Sequence, residues 1–353
     1  MPFQRLIRTI MISSLSVLVL LVAGLAVWTR VKASEIEARH PPQGEMIDVG
    51  GYALHAVHVP APATADLPPL VFIHGASGNL LDQMVPFRPA LEGRAEMLFI
   101  DRPGHGWSGR GGSGNDTPDG QAEAVARAMK AKGISKAIII GHSFGGAIAA
   151  SFALGHPEMT AGLVFLAPAT HPWPGGIAWY YGLTSTPVIG PLFAHTLALP
   201  VGLTRVESGS ACVFAPNPMP DEYIARTAPA LVLRPAAFRS NALDVYNLKP
   251  YVTRVAPRYG EITAPTVIIT GDSDSIVLAH IHSEGLARDI AGAQLLWIRN
   301  LGHKPDHVTT GLAVAAIERV AGRDVDLAAT AASAEAALDG DQAACPGEVS
   351  APG

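Results

Sequence analysis

Apolar positions follow different rhythms along this chain. From Thr9 to Thr29 they run almost without a break, and no residue is charged. At about 1.5 Å of rise per residue, a helix of that length spans roughly 30 Å, the hydrocarbon thickness of a bilayer. Arg5 and Arg8 precede the run, and Trp28 stands at its far edge as an interfacial aromatic would. The pattern predicts a single-pass membrane anchor over 9–29, with residues 1–8 on the cytoplasmic side and the bulk of the chain outside. A cleaved signal peptide is the rival, with a small-residue site at Val31-Lys32-Ala33. Its apolar core usually covers only about 7–15 residues. Arg30 and Lys32 on the far flank weaken the assignment of orientation.

Beyond a polar tether at 30–45, the period shortens. Met46–Val49 and Tyr52–Val59 alternate about Gly50-Gly51, a hairpin pattern. Short β-branched runs at 70–73, 96–100, 136–140, 162–167, 266–270 and 294–298 read as buried strands. Amphipathic stretches near 80–92, 119–132, 147–154, 277–290 and 307–322 read as the helices between them. This alternation predicts an α/β fold, a mostly parallel sheet with helices on both faces and the opening hairpin at one edge. It stops from 171 to 263, a stretch rich in Pro, Gly, Trp and Tyr with helical patches near 188–200, 221–233 and 240–252. The expected organisation is therefore core 46–170, insertion 171–263, core 264–321, and an Ala/Asp/Gly-rich disordered tail, 322–353.

Composition changes this picture little. Hydrophobic residues make up 48% and charged residues 16% of 353 positions, with net charge −5. No basic patch points to nucleic acid. Cys212 and Cys345 are far apart, in neither a disulfide framework nor a metal-type spacing. No metal and no organic cofactor is expected.

The candidate chemistry lies at strand ends, where open parallel sheets gather function. Gly141-His142-Ser143-Phe144-Gly145-Gly146 joins a strand to a helix, the context in which G-x-S-x-G marks a nucleophile. Glycines remove side chains that would crowd a sharp turn. The helix N-terminus then aims N–H groups at any charge forming beside Ser143. A serine needs a base and an orienting acid. His303 follows the final strand at the same sheet edge, with His307 as the alternative base. His142 adjoins the serine, but its side chain should point the other way. Asp274 in Gly271-Asp272-Ser273-Asp274 is preferred as the acid because it lies further into the loop, leaving Asp272 a turn or capping role. The oxyanion donors are assigned to the N–H of Phe144 and, from the loop after 70–73, that of Ala76.

These residues resemble the α/β-hydrolase superfamily, in the branch with a helical cap after the sixth strand. The carrying motifs are His74-Gly75-x-x-Gly78-Asn79, Asp101-Arg102-Pro103-Gly104-His105-Gly106-x-Ser108, the Ser143 turn, Gly271–Asp274 and Gly302-His303. The resemblance implies an eight-stranded sheet, a Ser143–His303–Asp274 triad, and mainly structural roles for Asp101, His105 and Ser108. Serine at the nucleophile position sets aside the dehalogenase and epoxide-hydrolase chemistries, which use aspartate there. The resemblance implies esterase, lipase, C–C hydrolase or perhydrolase chemistry. Trp173, Trp179, Tyr180, Tyr181, Phe193 and Leu197 in the cap suggest an apolar pocket lining, hence a hydrophobic carboxylic ester. The alternatives are a C–C bond hydrolase, with Arg234 or Arg239 meeting an acidic substrate, and a non-catalytic small-ligand receptor on the same scaffold.

Overall fold

The computed structural model describes residues 2–345. Its first element, helix α1, runs from Pro2 to Arg39. Among the described residues it is the one continuous helix long and apolar enough to cross a membrane. The expected tether at 30–45 is corrected over its first part. The helix continues because Thr29 and Ile36 are buried against the cap, where Ile36 packs with Leu199, Leu231 and Leu233. The chain leaves helix at His40, before Pro41-Pro42, where the ring constrains the preceding backbone.

Strands β1 (Glu45–Asp48), β2 (Ala53–Val59), β3 (Leu70–Ile73), β4 (Met97–Ile100), β5 (Ala137–His142), β6 (Thr160–Leu166), β7 (Thr266–Gly271) and β8 (Gln294–Ile298) form one sheet. Its order is β1-β2-β4-β3-β5-β6-β7-β8. The β1–β2 and β2–β4 pairs are antiparallel and the remainder parallel, so the hairpin lies at one edge as expected. Alternate residues serve opposite faces. Val71 and Ile73 pack beneath helices α3 (Pro118–Ala131) and α4 (Phe144–Gly155). Leu70 and Phe72 face α2 (Leu80–Leu91) and the C-terminal helices on the other side.

Between β6 and β7 the chain forms the cap. Its helices are α5 (Trp179–Ser185), α6 (Ile189–Phe193), α7 (Leu199–Leu203), α8 (Val206–Phe214), α9 (Tyr223–Thr227) and α10 (Pro235–Val255). A π-helical turn, Ala194–Ala198, joins α6 to α7. The second half of α10 departs from the expected insertion. Leu248, Tyr251, Val252 and Val255 belong to the sheet's own core, and Tyr251 hydrogen-bonds Ser151 of α4 at 2.7 Å.

After β7 come α11 (Ala279–Asp289), β8, α12 (Pro305–Val308), α13 (Thr310–Val320) and α14 (Leu327–Leu338). Helix α14 corrects the expected disordered tail as far as the described residues reach; 346–353 lie outside them. Asp326 caps it by accepting from Ala329 N at 2.9 Å. Leu327, Ala331, Ala334 and Leu338 recur at helical spacing and pack into the same core cluster as α13. The cysteines are corrected as well. Cys212 of α8 and Cys345 form a disulfide across a sequence separation of 133.

This crosslink ties the end of the described chain to the cap, and Asn217 Nδ2 donates to Asp341 Oδ2 at 3.0 Å beside it. Closing a loop of this length is worth about 2–5 kcal/mol. Alkylation of the unfolded chain without reductant is expected to label neither cysteine. Cys345→Ser is expected to lower the unfolding midpoint and expose the segment after α14 to protease. Full labelling of the wild type would contradict the pairing.

Candidate active site

Strand β5 delivers Ser143 into a turn with φ 53° and ψ −118°, a conformation non-glycine residues avoid. The neighbouring glycines make room for it. A Cβ on Gly141 would lie 2.5 Å from Gly145 O, and one on Gly146 2.5 Å from the Pro168 side chain. One on Gly145 would strike the carbonyls of Ile73 and His74. The turn is pinned by Ser143 N donating to Leu166 O at 2.9 Å, and by Ala169 N donating to Ser143 O at 3.0 Å.

The loop after β3 passes directly over the serine. A Cβ on Gly75 would come within 3.0 Å of Ser143 Cβ. Ala76 therefore lies beside the serine, and Phe144 is the first residue of α4. Among the described residues, neither of these N–H groups donates to a protein acceptor. The loop is held from the cap. Asn241 of α10 accepts from Ser77 N at 2.7 Å and donates to Ser77 Oγ at 3.0 Å.

His303 and Asp274 meet as expected. His303 Nδ1 lies 2.7 Å from Asp274 Oδ2, with both side chains buried. Beside a carboxylate Nδ1 carries the proton, which leaves Nε2 free to accept one. Asp274 Oδ1 accepts from Ile276 N and Val277 N, both at 2.9 Å, so the carboxylate cannot rotate away. Asp272 is exposed and accepts from Asn300 N at 2.8 Å, a turn role. Among the described residues, no hydrogen bond joins Ser143 Oγ to His303. Such bonds are often long without substrate and tighten when it binds.

His142 stays close to the serine, since a Cβ on Gly75 would lie 3.0 Å from both His142 Nδ1 and Ser143 Cβ. Its Nε2 donates to the carbonyl of His303 at 2.9 Å, and the two rings stand 5.0 Å apart. Burial pushes its pKa down to about 4. His307 is turned from the serine and donates to Asp82 O at 2.8 Å. Next to it, the buried Lys304 ammonium lies 2.8 Å from Asp82 and 3.0 Å from Asp306. Burial works against all three charges, but their mutual attraction prevails; it raises Lys304 and holds both carboxyls below their usual range. The donor atoms of Asp82, Asp306 and His307 lie within 4.8 Å of one another. The ammonium already supplies the positive charge there, so the cluster suits lysine and not a metal ion.

Asp101 takes the structural role its resemblance implied. It accepts from Leu80 N at 2.7 Å and Trp107 N at 2.8 Å, and pairs with His55 Nδ1 at 2.6 Å. His105 Nε2 lies 3.0 Å from the buried Arg102 guanidinium. Ser108 Oγ donates to Asp101 O at 2.7 Å. The cap aromatics are less uniform than expected. Trp179 and Leu197 face outward, while Tyr180, Tyr181 and Phe193 cluster with Phe238. Trp173 packs on His282. Arg234 is consumed structurally, pairing with Glu37 of α1 at 3.1 Å and lying 4.8 Å over Trp107. Asn217 was not legible in the sequence. Its Oδ1 accepts from Gly302 N at 2.9 Å, bracing the loop that carries His303.

A model of the α/β-hydrolase fold matches residues 68–305. The chain belongs to the α/β-hydrolase family. Over 108 residues it is 37% identical to a probable 1-acylglycerol-3-phosphate O-acyltransferase of Oryza sativa subsp. japonica, covering 29% of this chain and 25% of that protein. Over 183 residues it is 30% identical to a 2-hydroxy-6-oxononadienedioate/2-hydroxy-6-oxononatrienedioate hydrolase of Comamonas testosteroni, covering 52% of this chain and 61% of the other. The chain thus spans less than two thirds of the length of these curated relatives. An enol-lactonase from Burkholderia xenovorans superposes with a TM-score of 0.62 at 18% identity, covering 79% of this chain and 100% of that one. At such identity the likeness is one of fold.

Buried histidines make the domain acid-sensitive. Burial holds His74, His105, His142 and His282 below their ordinary pKa, the last two at about 4. His282 Nδ1 accepts from Thr170 N and His171 N, bonds that protonation there would break. The folded state therefore binds fewer protons than the unfolded state below about pH 6.5. Each such histidine adds stability above that pH, and it is lost as pH falls toward 4, at up to about 1.4 kcal/mol per pH unit. The melting temperature of the full chain is expected to drop steadily from pH 7 to pH 5, and His282→Asn to flatten the slope by about one proton. Parallel curves for the two proteins would remove His282 from this account.

Proposed function

We propose that the chain is a membrane-tethered serine hydrolase that cleaves a carboxylic ester with an apolar acyl or alcohol part. The observation that carries this reading is the buried 2.7 Å His303–Asp274 contact beside a serine held at positive φ. In this mechanism Ser143 Oγ attacks the ester carbonyl and its proton passes to His303 Nε2. Asp274 stabilises the imidazolium and keeps its tautomer. The Phe144 and Ala76 N–H groups, which donate to no acceptor among the described residues, bind the oxyanion. His303 returns the proton to the departing alkoxide, leaving an acyl-Ser143 ester. Water, deprotonated by His303, then releases the acid and restores the serine. The cycle uses no cofactor.

The Cys212–Cys345 disulfide supports an oxidising, extracytoplasmic location for the catalytic domain, in keeping with Arg5 and Arg8 on the inner side of α1. The similarity to the Comamonas testosteroni protein favours C–C bond hydrolysis by the same triad as the second reading. With Arg234 engaged by Glu37, that reading rests its acid recognition on Arg239, whose side chain donates to Thr186 O at 3.3 Å.

An ester panel graded by acyl length, run beside a dienoic keto acid, separates the two. Longer esters are expected to turn over best. Ser143→Ala is expected to abolish turnover, by on the order of 10⁴-fold or more, together with labelling by a fluorophosphonate. Asp274→Asn is expected to lower kcat by about 10³–10⁴-fold, whereas Asp272→Asn leaves it near wild type. Flat activity that survives Ser143→Ala would defeat the assignment.

A further inference from the structure

The cap carries an apolar surface that its own fold does not cover. Val188 is 80%, Trp179 72% and Val201 58% exposed, and Ile189, Leu192, Leu197 and Leu203 are exposed as well. Leu192, Leu197 and Val201 fall on one side because the π-helical turn between α6 and α7 stretches the spacing there. Ala194, Thr196, Ala198 and Leu199 occupy the buried side. No Asp, Glu, Lys or Arg occurs from residue 172 to residue 204; the first charge after the patch is Arg205. Soluble monomers seldom leave so much contiguous apolar surface without a function.

Position decides what covers it. The uncharged run of α1 ends at Thr29, and Arg30 follows. Thr29 is fully buried, and its hydroxyl lies 3.4 Å from Thr196 O, on the π-helical turn itself. Before Thr29 no residue of the apolar window of α1 is buried, and Val22, Leu25 and Ala26, within the last two turns, are partly covered. After it, Ile36 locks into the cap with Leu199 and Leu231, and Glu37 pairs with Arg234. The cap is thus fastened to α1 at the end of its apolar segment. Leu192 and Leu197 flank the fastening residue Thr196, and Val201 follows five positions on, within about 8 Å along a helix. Interfacial elements bury their apolar faces roughly 5–10 Å into the boundary between headgroups and acyl chains.

We propose that the face formed by α5, α6, the π-helical turn and α7 lies in the interfacial layer of the same lipid bilayer that α1 crosses. Trp179 then sits at headgroup level, where aromatic rings are favoured. The domain contacts the membrane at α1 and at the cap, so the cap is held against the lipid surface in a set orientation. This inference rests on reading α1 as an uncleaved anchor, and the test separates the two.

The full chain is reconstituted into phosphatidylcholine vesicles, with or without bromine near the headgroup end of the acyl chains. Tryptophan fluorescence is compared for wild type, Trp28→Phe and Trp179→Phe, the differences giving the quenching of each ring. Both Trp28 and Trp179 are expected to be quenched. Val188→Asp with Val201→Asp is expected to weaken cap engagement by about tenfold or more, read as lost Trp179 quenching. Turnover of a short, soluble ester by that double variant should stay at the wild-type level. Quenching of Trp28 without Trp179 would overturn the cap proposal and leave the anchor standing. Quenching of neither would overturn both. An unquenched Trp179, with a change from dimer to monomer in the double variant, would make the face an interface between copies and overturn the proposal as well.

Discussion

Ser143 occupies a backbone conformation worth of order 1–3 kcal/mol of strain, and its surroundings must over-determine it. The over-determination is steric and mutual. Gly141 and Gly145 approach each other, Gly145 lies against the carbonyls ending β3, and Gly146 against Pro168 after β6. The serine turn is thus wedged between the two strands that flank β5. Any shift of β3 or β6 in register would close the space the turn needs. The parallel sheet and the position of Ser143 therefore form one constraint, and both buried faces of the sheet serve to keep it.

His303 and Asp274 are fixed by a second set of contacts that radiates from the same turn. His142 reaches from beside the serine to hold the His303 carbonyl, while Asn217 of the cap holds Gly302 N. Behind them, Lys304 binds Asp82 of α2 and Asp306 of α12. Such a buried cluster is costly to desolvate, and its geometric effect is to tie the histidine loop to α2. The cap also reaches across the site through Asn241, which holds the loop carrying Ala76. Cap and core are therefore coupled both at the His303 loop and at the loop carrying Ala76.

The cap is in turn bound at its outer side. Helix α1 packs on it through Ile36 and Glu37, and the C-terminal segment is joined to it through Cys345 and Asp341. What reads along the chain as an anchor, a tether and a tail becomes a frame around the cap. The Asp101 loop completes that frame, since Trp107 stacks under Arg234 and donates to His40 O at the end of α1.

The sheet, the serine turn and the Asp274–His303 pairing were legible because each depends on local chemistry. Buried strands need apolar β-branched runs, a strained turn needs glycines at set offsets, and strand ends collect at one edge. The continuation of α1 through 30–39 was not legible, because its polar surface there matches a solvated tether and only packing on the cap distinguishes the two. The tail misled for a related reason. Its Ala-rich composition resembles low complexity, although Asp326 and the Leu327–Leu338 stripe carried a helical pattern. The disulfide, the Lys304 cluster and the roles of Asn217 and Asn241 join positions far apart in the chain, and no spacing rule encodes such pairs. The placing of Ser143, Asp274 and His303 at strand ends could be read from residue order alone, because it follows from short-range backbone geometry. How the cap is held against α1, and which of its apolar residues face outward, emerged from the folded chain alone, because burial depends on neighbours distant in the chain.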